Sequence, residues 1–426
     1  MSPARRLTLA SLLICISLVL NPRGPSTHAA PNPIHIGAVF PLRGSIGRLA
    51  GEEYRGVEIA RDLINADGGV SGRKIVLDTR ELDTPSDAPS VMSALHSRGI
   101  TTVIGAYSSA LSIPAAAAAA RDGMVYWEAG AVADRLTGRG FSTVFRVGAS
   151  GSNLGSNSAR FAVDQLAPRL GKRPSDLRVS VVFAGDDYAI SVADAAVKEA
   201  GSRGLRIVSR TRYDAYAPNW SRVLQAVRSA HPDILILASH IPDGVAFRRA
   251  MLAAHIHVGA FIGSTMAQCE PEFGALLGRD AVGVFASDRP SPMGGFNPQT
   301  IGPQARAVYN RLAAEWHRRT GESKPTEEAL AGFTAAWALF HYVLPRAARH
   351  GRLNPKTISD AARSMNLPKG ALPSGAGLRF ATDPRNLGQN LRASAVIWQW
   401  QGVRHSVVVW PGVYATGKIR LVPLPR

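Results

Sequence analysis

The chain has 426 residues, 46% of them hydrophobic and 19% charged, which excludes a disordered chain and supplies enough apolar material for two cores. The formal net charge of +18 favours anionic partners, a lipid surface or a ligand. The basic residues are dispersed, as in "GRGFSTVFR" and "LPRAARHGR", with no arginine-rich run, zinc-finger spacing or RNA-binding aromatic signature, so nucleic-acid binding is set aside.

The N-terminus reads as an export signal. Arg5 and Arg6 precede the apolar run "LTLASLLICISLVL", and small residues follow where a peptidase would cut, which places the mature start near Pro31. The apolar run is too short to favour a membrane span, and a lipid anchor at Cys15 is disfavoured because Ile14 precedes it and apolar residues continue beyond it. Removing the leader with Arg5, Arg6 and Arg23 leaves 46 basic against 31 acidic residues, or +15, and Cys269 as the only cysteine. No intramolecular disulfide is then expected, and stability must come from packing.

From Ile34 onward, short β-branched runs alternate with helical patterns. "IHIGAVF" is followed by an amphipathic stretch from Glu52 to Asn65 that stops at "DGG", and "KIVLDT", "TTVIGA" and "MVYWEA" follow at similar spacing with helices between them. This alternation predicts parallel βαβ units in an open, doubly wound sheet. After "STVFRVG" the pattern restarts with "RVSVVFAG", "LRIVSRT", "ILILAS", "AFIGS" and "AVGVFAS", so two similar α/β lobes are predicted. The segment from Gln304 to Met365 is mostly helical, and "SAVIWQWQGVRHSVVVWPG" reads as a hairpin around Gln401-Gly402 that adds to the edge of one sheet.

Ligands of open parallel sheets bind beyond the carboxyl ends of the strands. Those ends carry "PLRGS", "YSSA", "WEAGAV", "DDY", "SHIPD" and "STM", which makes Ser109, Trp127, Glu128, Tyr188 and His240 candidate contacts. Each has a plainer reading: a serine as helix cap, Trp127 as core filler, Glu128 in a salt bridge with Arg121, Arg135 or Arg146, and Tyr188 and His240 as loop residues. Asp186 and Asp187 read as caps rather than metal ligands. No dinucleotide fingerprint, Walker lysine, HExxH or GxSxG is present, and His255-x-His257 lacks further ligands, so no enzyme, metal or cofactor is expected.

The opening "IHIGAVFPLRGSIGRLAGEEYRGVEIARDLINADGGVSGRKIVL", with "VIGAYSSALSIPAAAAAARDGMVYWEAGA" and "DDYAISVADAAVKEAGSRG", resembles type I periplasmic binding proteins of the leucine/isoleucine/valine-binding class. The resemblance runs from about Ile34 to the final hairpin. It implies a periplasmic monomer of two doubly wound lobes joined by three crossovers, closing on a small solute that passes to an inner-membrane ABC permease. The implied division is residues 31–150 plus 289–378 for one lobe and 151–288 plus 379–426 for the other. Carried over by position, Ser109 falls where the family binds a ligand carboxylate, Gly130 where a small residue offers main-chain groups, and Tyr188 and His240 at second-lobe aromatic contacts. The departures are as informative. The family's threonine is Val132 here, its ammonium-binding glutamate falls at Thr265, and Glu128 replaces a serine. A lost acid in one lobe and a gained acid in the other read as a relocated ammonium partner, or else Glu128 is salt-bridged and Trp127 offers a flat wall to an organic acid. A sensory module for a membrane receptor is the second functional reading, and an exported hydrolase the third.

Overall fold

The computed structural model describes residues 31–291, 297 and 299–425, so the expected leader with Cys15 lies outside the described residues. Among the described residues the β-branched runs form twelve strands: β1 Ile34–Phe40, β2 Ile75–Glu81, β3 Thr102–Gly105, β4 Val125–Glu128, β5 Val144–Arg146, β6 Arg178–Ala184, β7 Arg206–Tyr213, β8 Ile234–Ala238, β9 Ala260–Ser264, β10 Phe285–Asp288, β11 Val396–Gly402 and β12 His405–Trp410. The helices are α1 Gly47–Ala66, α2 Ala88–His96, α3 Ser109–Arg121, α4 Gly151–Phe161, α5 Ala167–Arg169, α6 Asp187–Ser202, α7 Trp220–Ala230, α8 Ile241–Ala253, α9 Pro271–Leu277, α10 Pro303–Thr320, α11 Glu327–Trp337, α12 Leu344–Arg349 and α13 Pro355–Arg363. Among the described residues no helix is long and apolar enough to cross a membrane.

The strands assemble into two sheets. One has the order β2-β1-β3-β4-β5, all parallel, and the other the order β12-β11-β10-β9-β8-β6-β7, parallel up to β10. The central parallel strands are almost wholly buried, as expected where helices cover both faces, while the edge strands β2 and β7 are partly exposed. The tail hairpin pairs antiparallel with β10, as its alternation predicts, but it turns at Val403–Arg404, two residues later than expected.

The chain passes between the sheets after β5, after β10 and again before β11. Arg146 N donates to Gly388 O at 2.9 Å and Asn390 N to Arg146 O at 3.0 Å, so residues 388–390 still run beside β5 of the first sheet. Close helix packing sets the first half. An added Cβ at Gly56 would strike the carbonyl of Ala329 and one at Gly332 the carbonyl of Glu53, so α1 and α11 meet backbone to backbone.

Candidate functional site

The carboxyl ends of β3 and β4 face those of β6, β8 and β9 across the seam between the halves. On the second-half rim, Tyr188 in the first turn of α6 is buried, and its hydroxyl lies within hydrogen-bonding reach of Ser264 Oγ at 2.6 Å, Ser239 O at 3.2 Å and Thr265 O. The His240 ring packs edge-on against Tyr188 with centroids 5.3 Å apart. Three sequence-predicted residues from three strand ends, Tyr188, His240 and Thr265, therefore form one rim. Asp186 accepts from Ala189 N at 3.1 Å, which is the capping role read for it from the sequence.

On the first-half rim, Ser109 opens α3. Its Oγ accepts from Ala133 N at 3.1 Å, fastening the helix to the loop after β4. Glu128 is fully buried. Its Oε1 accepts from Gly130 N and Ala131 N, each at 2.8 Å, so it folds that loop around itself. Burial raises its pKa, opposed by Ser112, the two loop amides and the charge of Arg146. The salt-bridge reading does not hold in its simple form. Arg146 spends its donors on Gln389 Oε1 at 2.6 Å, Ala133 O at 2.6 Å, Ala131 O and Thr137 Oγ1, and burial pushes it down to about 10.

Trp127 is not a wall of the crevice. It points to the opposite face of β4, into the core with Phe145 and Phe380, and its indole N–H donates to Ala335 O at 2.8 Å. Strand alternation alone separates it from Glu128.

Contacts join the halves across the seam. Tyr107 OH lies 3.5 Å from Met266 Sδ, Asp134 N donates to Ser191 Oγ at 3.0 Å, Arg135 reaches Asp187 at 3.3 Å, and Arg48 bonds to Glu272. Tyr107 and Met266 face each other with φ of +72° and +74°, a left-handed backbone that costs about 1–2 kcal/mol for such residues and is concentrated at working sites.

Sequence reasoning missed the acids beside this contact. Glu53 of α1, Glu327 and Glu328 of α11, Glu270 at the start of α9 and Asp288 at the end of β10 are all buried, and Arg289 lies among them. Arg289 bonds to Glu327 Oε1 at 2.8 and 2.9 Å, stands 3.9 Å from Asp288 and reaches Gly130 O at 3.3 Å. Burial and mutual repulsion hold Glu53, Glu270 and Glu327 well above the usual carboxylate range. A signal existed for Glu53. It falls on the same helical stripe as Leu49, Ala50, Val57 and Ala60, where a globular helix carries apolar residues.

The chain matches the periplasmic binding protein family over residues 33–396. It is 28% identical over 415 residues to the Leu/Ile/Val-binding protein homolog 8 of Brucella suis, covering 97% of this chain and 99% of that one. Two solved structures share the fold: the leucine-binding protein LivK of Thermotoga maritima (17% identity, TM-score 0.71, 88% of this chain and 97% of that one) and the branched-chain amino acid transporter substrate-binding protein LivJ of Streptococcus pneumoniae in complex with isoleucine (19%, 0.69, 89% and 100%). With two parallel sheets, three passages between them and polar rims facing across the seam, the chain belongs to the periplasmic binding protein family.

Proposed function

We propose that this periplasmic binding protein captures a small polar solute between its two halves and hands it, unaltered, to an inner-membrane ABC permease. The observation that supports this most is the pair of rims. Tyr188, His240 and Thr265 on one side face Ser109, Gly130 and Tyr107 on the other, and hydrogen bonds already cross between them. A solute touching both rims binds the closed arrangement better than an open one, and that difference is what drives closure.

Ser109 is assigned to the solute's carboxylate or an equivalent acceptor-rich group and the Tyr188–His240 pair to its flank, while Gly130, whose N–H is given to Glu128 and whose carbonyl meets Arg289, is assigned to the shape of the loop. Glu128 is assigned to the protein itself, since one of its oxygens holds the loop amides. Trp127 is withdrawn from the contact set. The sensory reading draws no support from the relatives, one named a Leu/Ile/Val-binding protein homolog and another a branched-chain amino acid transporter substrate-binding protein. Thermal unfolding of the purified protein across amino acids, organic acids, amides and amines tests the proposal, with a ligand-dependent rise in Tm expected. A compound consumed or converted during the assay would refute it.

A further inference from the structure

Four side chains with metal-ligating atoms converge where the two halves meet the chain that crosses between them. Cys269 and Glu270 lie in the loop after β9, Asp288 ends β10 at a crossing, and Glu327 opens α11, which packs on α1 in the first half. All four are more than nine-tenths buried, with exposures of 1%, 2%, 0% and 7%. Ligand atoms of Cys269, Glu270 and Glu327 lie within 4.8 Å of one another, the thiol stands 3.8 Å from Glu270 Oε1, and Asp288 faces both the thiol and Glu327.

Two of the acids have one oxygen fixed by the protein and the other left over. Asp288 Oδ1 accepts from Arg289 N at 2.7 Å, and Glu327 Oε1 accepts from the Arg289 guanidinium at 2.8 and 2.9 Å. Asp288 Oδ2 and Glu327 Oε2 have no hydrogen-bond partner among the described residues. This is how a ligating carboxylate is held, with its second oxygen bound by an outer donor that sets its direction. The charges agree, since Arg289 faces Glu327, Asp288, Glu328 and Glu53 at once and cannot balance them alone. Protons can quiet these acids one at a time, but a single divalent ion satisfies the thiol and the leftover oxygens together.

We infer that Cys269, Glu270, Asp288 and Glu327 form a binding site for a divalent transition metal, zinc before others. A thiolate with carboxylates is a borderline-soft set that suits zinc, whose tetrahedral ligands stand about 2.0–2.3 Å from the ion and hence about 4 Å or less from one another. Calcium and magnesium call for about six or more oxygens and have no use for the thiol. Arg289 does not compete for the ligand atoms, because it holds the oxygen of Glu327 that the metal leaves alone, and Glu53 and Glu328 offset its charge. Cys269 and Glu270 belong to one half and Glu327 to the other, so the metal ties the seam independently of any solute.

The test uses the purified chain, stripped with a chelator and kept reduced. In calorimetric titrations with zinc, cobalt, calcium and magnesium, zinc and cobalt should bind with a single ion per chain and the other two should not. Zinc should raise Tm with no solute present, and cobalt should give the near-ultraviolet absorption of a thiolate–metal bond. Cys269→Ser should abolish that absorption and weaken zinc about tenfold to a hundredfold or more, since even the groups that orient metal ligands carry that much. Asp288→Asn, which keeps an acceptor for Arg289 N, should weaken zinc in the same direction. It should not lower the metal-free Tm, because it removes an uncompensated acid, so its lost zinc binding is not lost folding. Zinc bound equally by the parent and both variants sits elsewhere and overturns the inference, as does no zinc binding, or calcium or magnesium bound as tightly. The solute screen is read separately on metal-free protein, so solute capture stands or falls on its own Tm response.

Discussion

The carboxylate of Glu53 occupies the space that a side chain on Gly130 would need. Helix α1 and the loop after β4 are thereby locked in register, and glycine is required at 130 by this steric limit. Gly130→Ala should cost about 1–3 kcal/mol through overpacking, and it should also reduce the solute-dependent rise in Tm by distorting the loop that Ser109 holds at Ala133. Chemical denaturation with and without solute measures both effects.

Glu128 separates two accounts of the acid next to Trp127. If it were the solute's ammonium partner, Glu128→Gln would abolish binding. The structure gives its Oε1 to two loop amides at 2.8 Å, a task that a glutamine carbonyl also performs. Glu128→Gln should therefore hold affinity within about threefold, while Glu128→Leu, which leaves both amides without an acceptor, should cost about 2–4 kcal/mol of stability. Paired titration and unfolding curves distinguish the accounts.

Trp127 should behave as a core residue. Trp127→Ala is expected to cost about 3–5 kcal/mol, and Trp127→Phe about 1 kcal/mol or slightly more, chiefly from the lost bond to Ala335 O. Neither should change the chemical selectivity of binding in the fraction that folds, as a probe panel on the phenylalanine variant would show.

The fold was legible in the sequence because its signals are local and periodic. β-Branched runs at even spacing dictate a parallel sheet wherever they fall, and the restart after "STVFRVG" marks the second sheet. The second-half rim was legible for a related reason, since Tyr188, His240 and Thr265 each follow a strand end. What escaped notice depends on tertiary approach. Nothing in the chain near Gly388 announces that it lies against β5, and the pair at Glu327-Glu328 reads as an ordinary acidic first helical turn until α11 is packed on α1. Trp127 was misassigned because position along a strand tells how near the end a residue lies, whereas its face is fixed by one residue's difference in register.

The pH dependence follows from the acids at the seam. Burial raises Glu53, Glu270, Glu327 and Glu328 above their unfolded values, with Arg289 the opposing charge and Glu128, Asp288, Tyr107 and Cys269 also facing the group. A raised carboxyl binds its proton more tightly in the folded state. Its contribution to stability is full below about pH 4.5 and is lost as the pH climbs through the folded value. The solute-free protein should accordingly have a higher Tm near pH 5 than near pH 8. Glu53→Gln should reduce that difference. Thermal unfolding over a pH series with constant ionic strength provides the check.

Tyr188→Phe removes the hydroxyl that ties β6, β8 and β9 together at Ser239, Ser264 and Thr265. A loss of about 1–3 kcal/mol is expected, with weaker solute binding, because the carbonyls it bridges are buried. Restoring a hydroxyl elsewhere on the rim should not rescue it.

The direct meeting of α1 and α11 through Gly56 and Gly332 has a consequence for how this protein could change its preferences. Two helices whose main chains touch have little slack to tilt or slide, so the first half keeps one shape and any rearrangement is left to the seam. New preferences would therefore arise from side chains along the rims and not from a shift of α1 against α11, because a side chain at either glycine would drive the two helices apart.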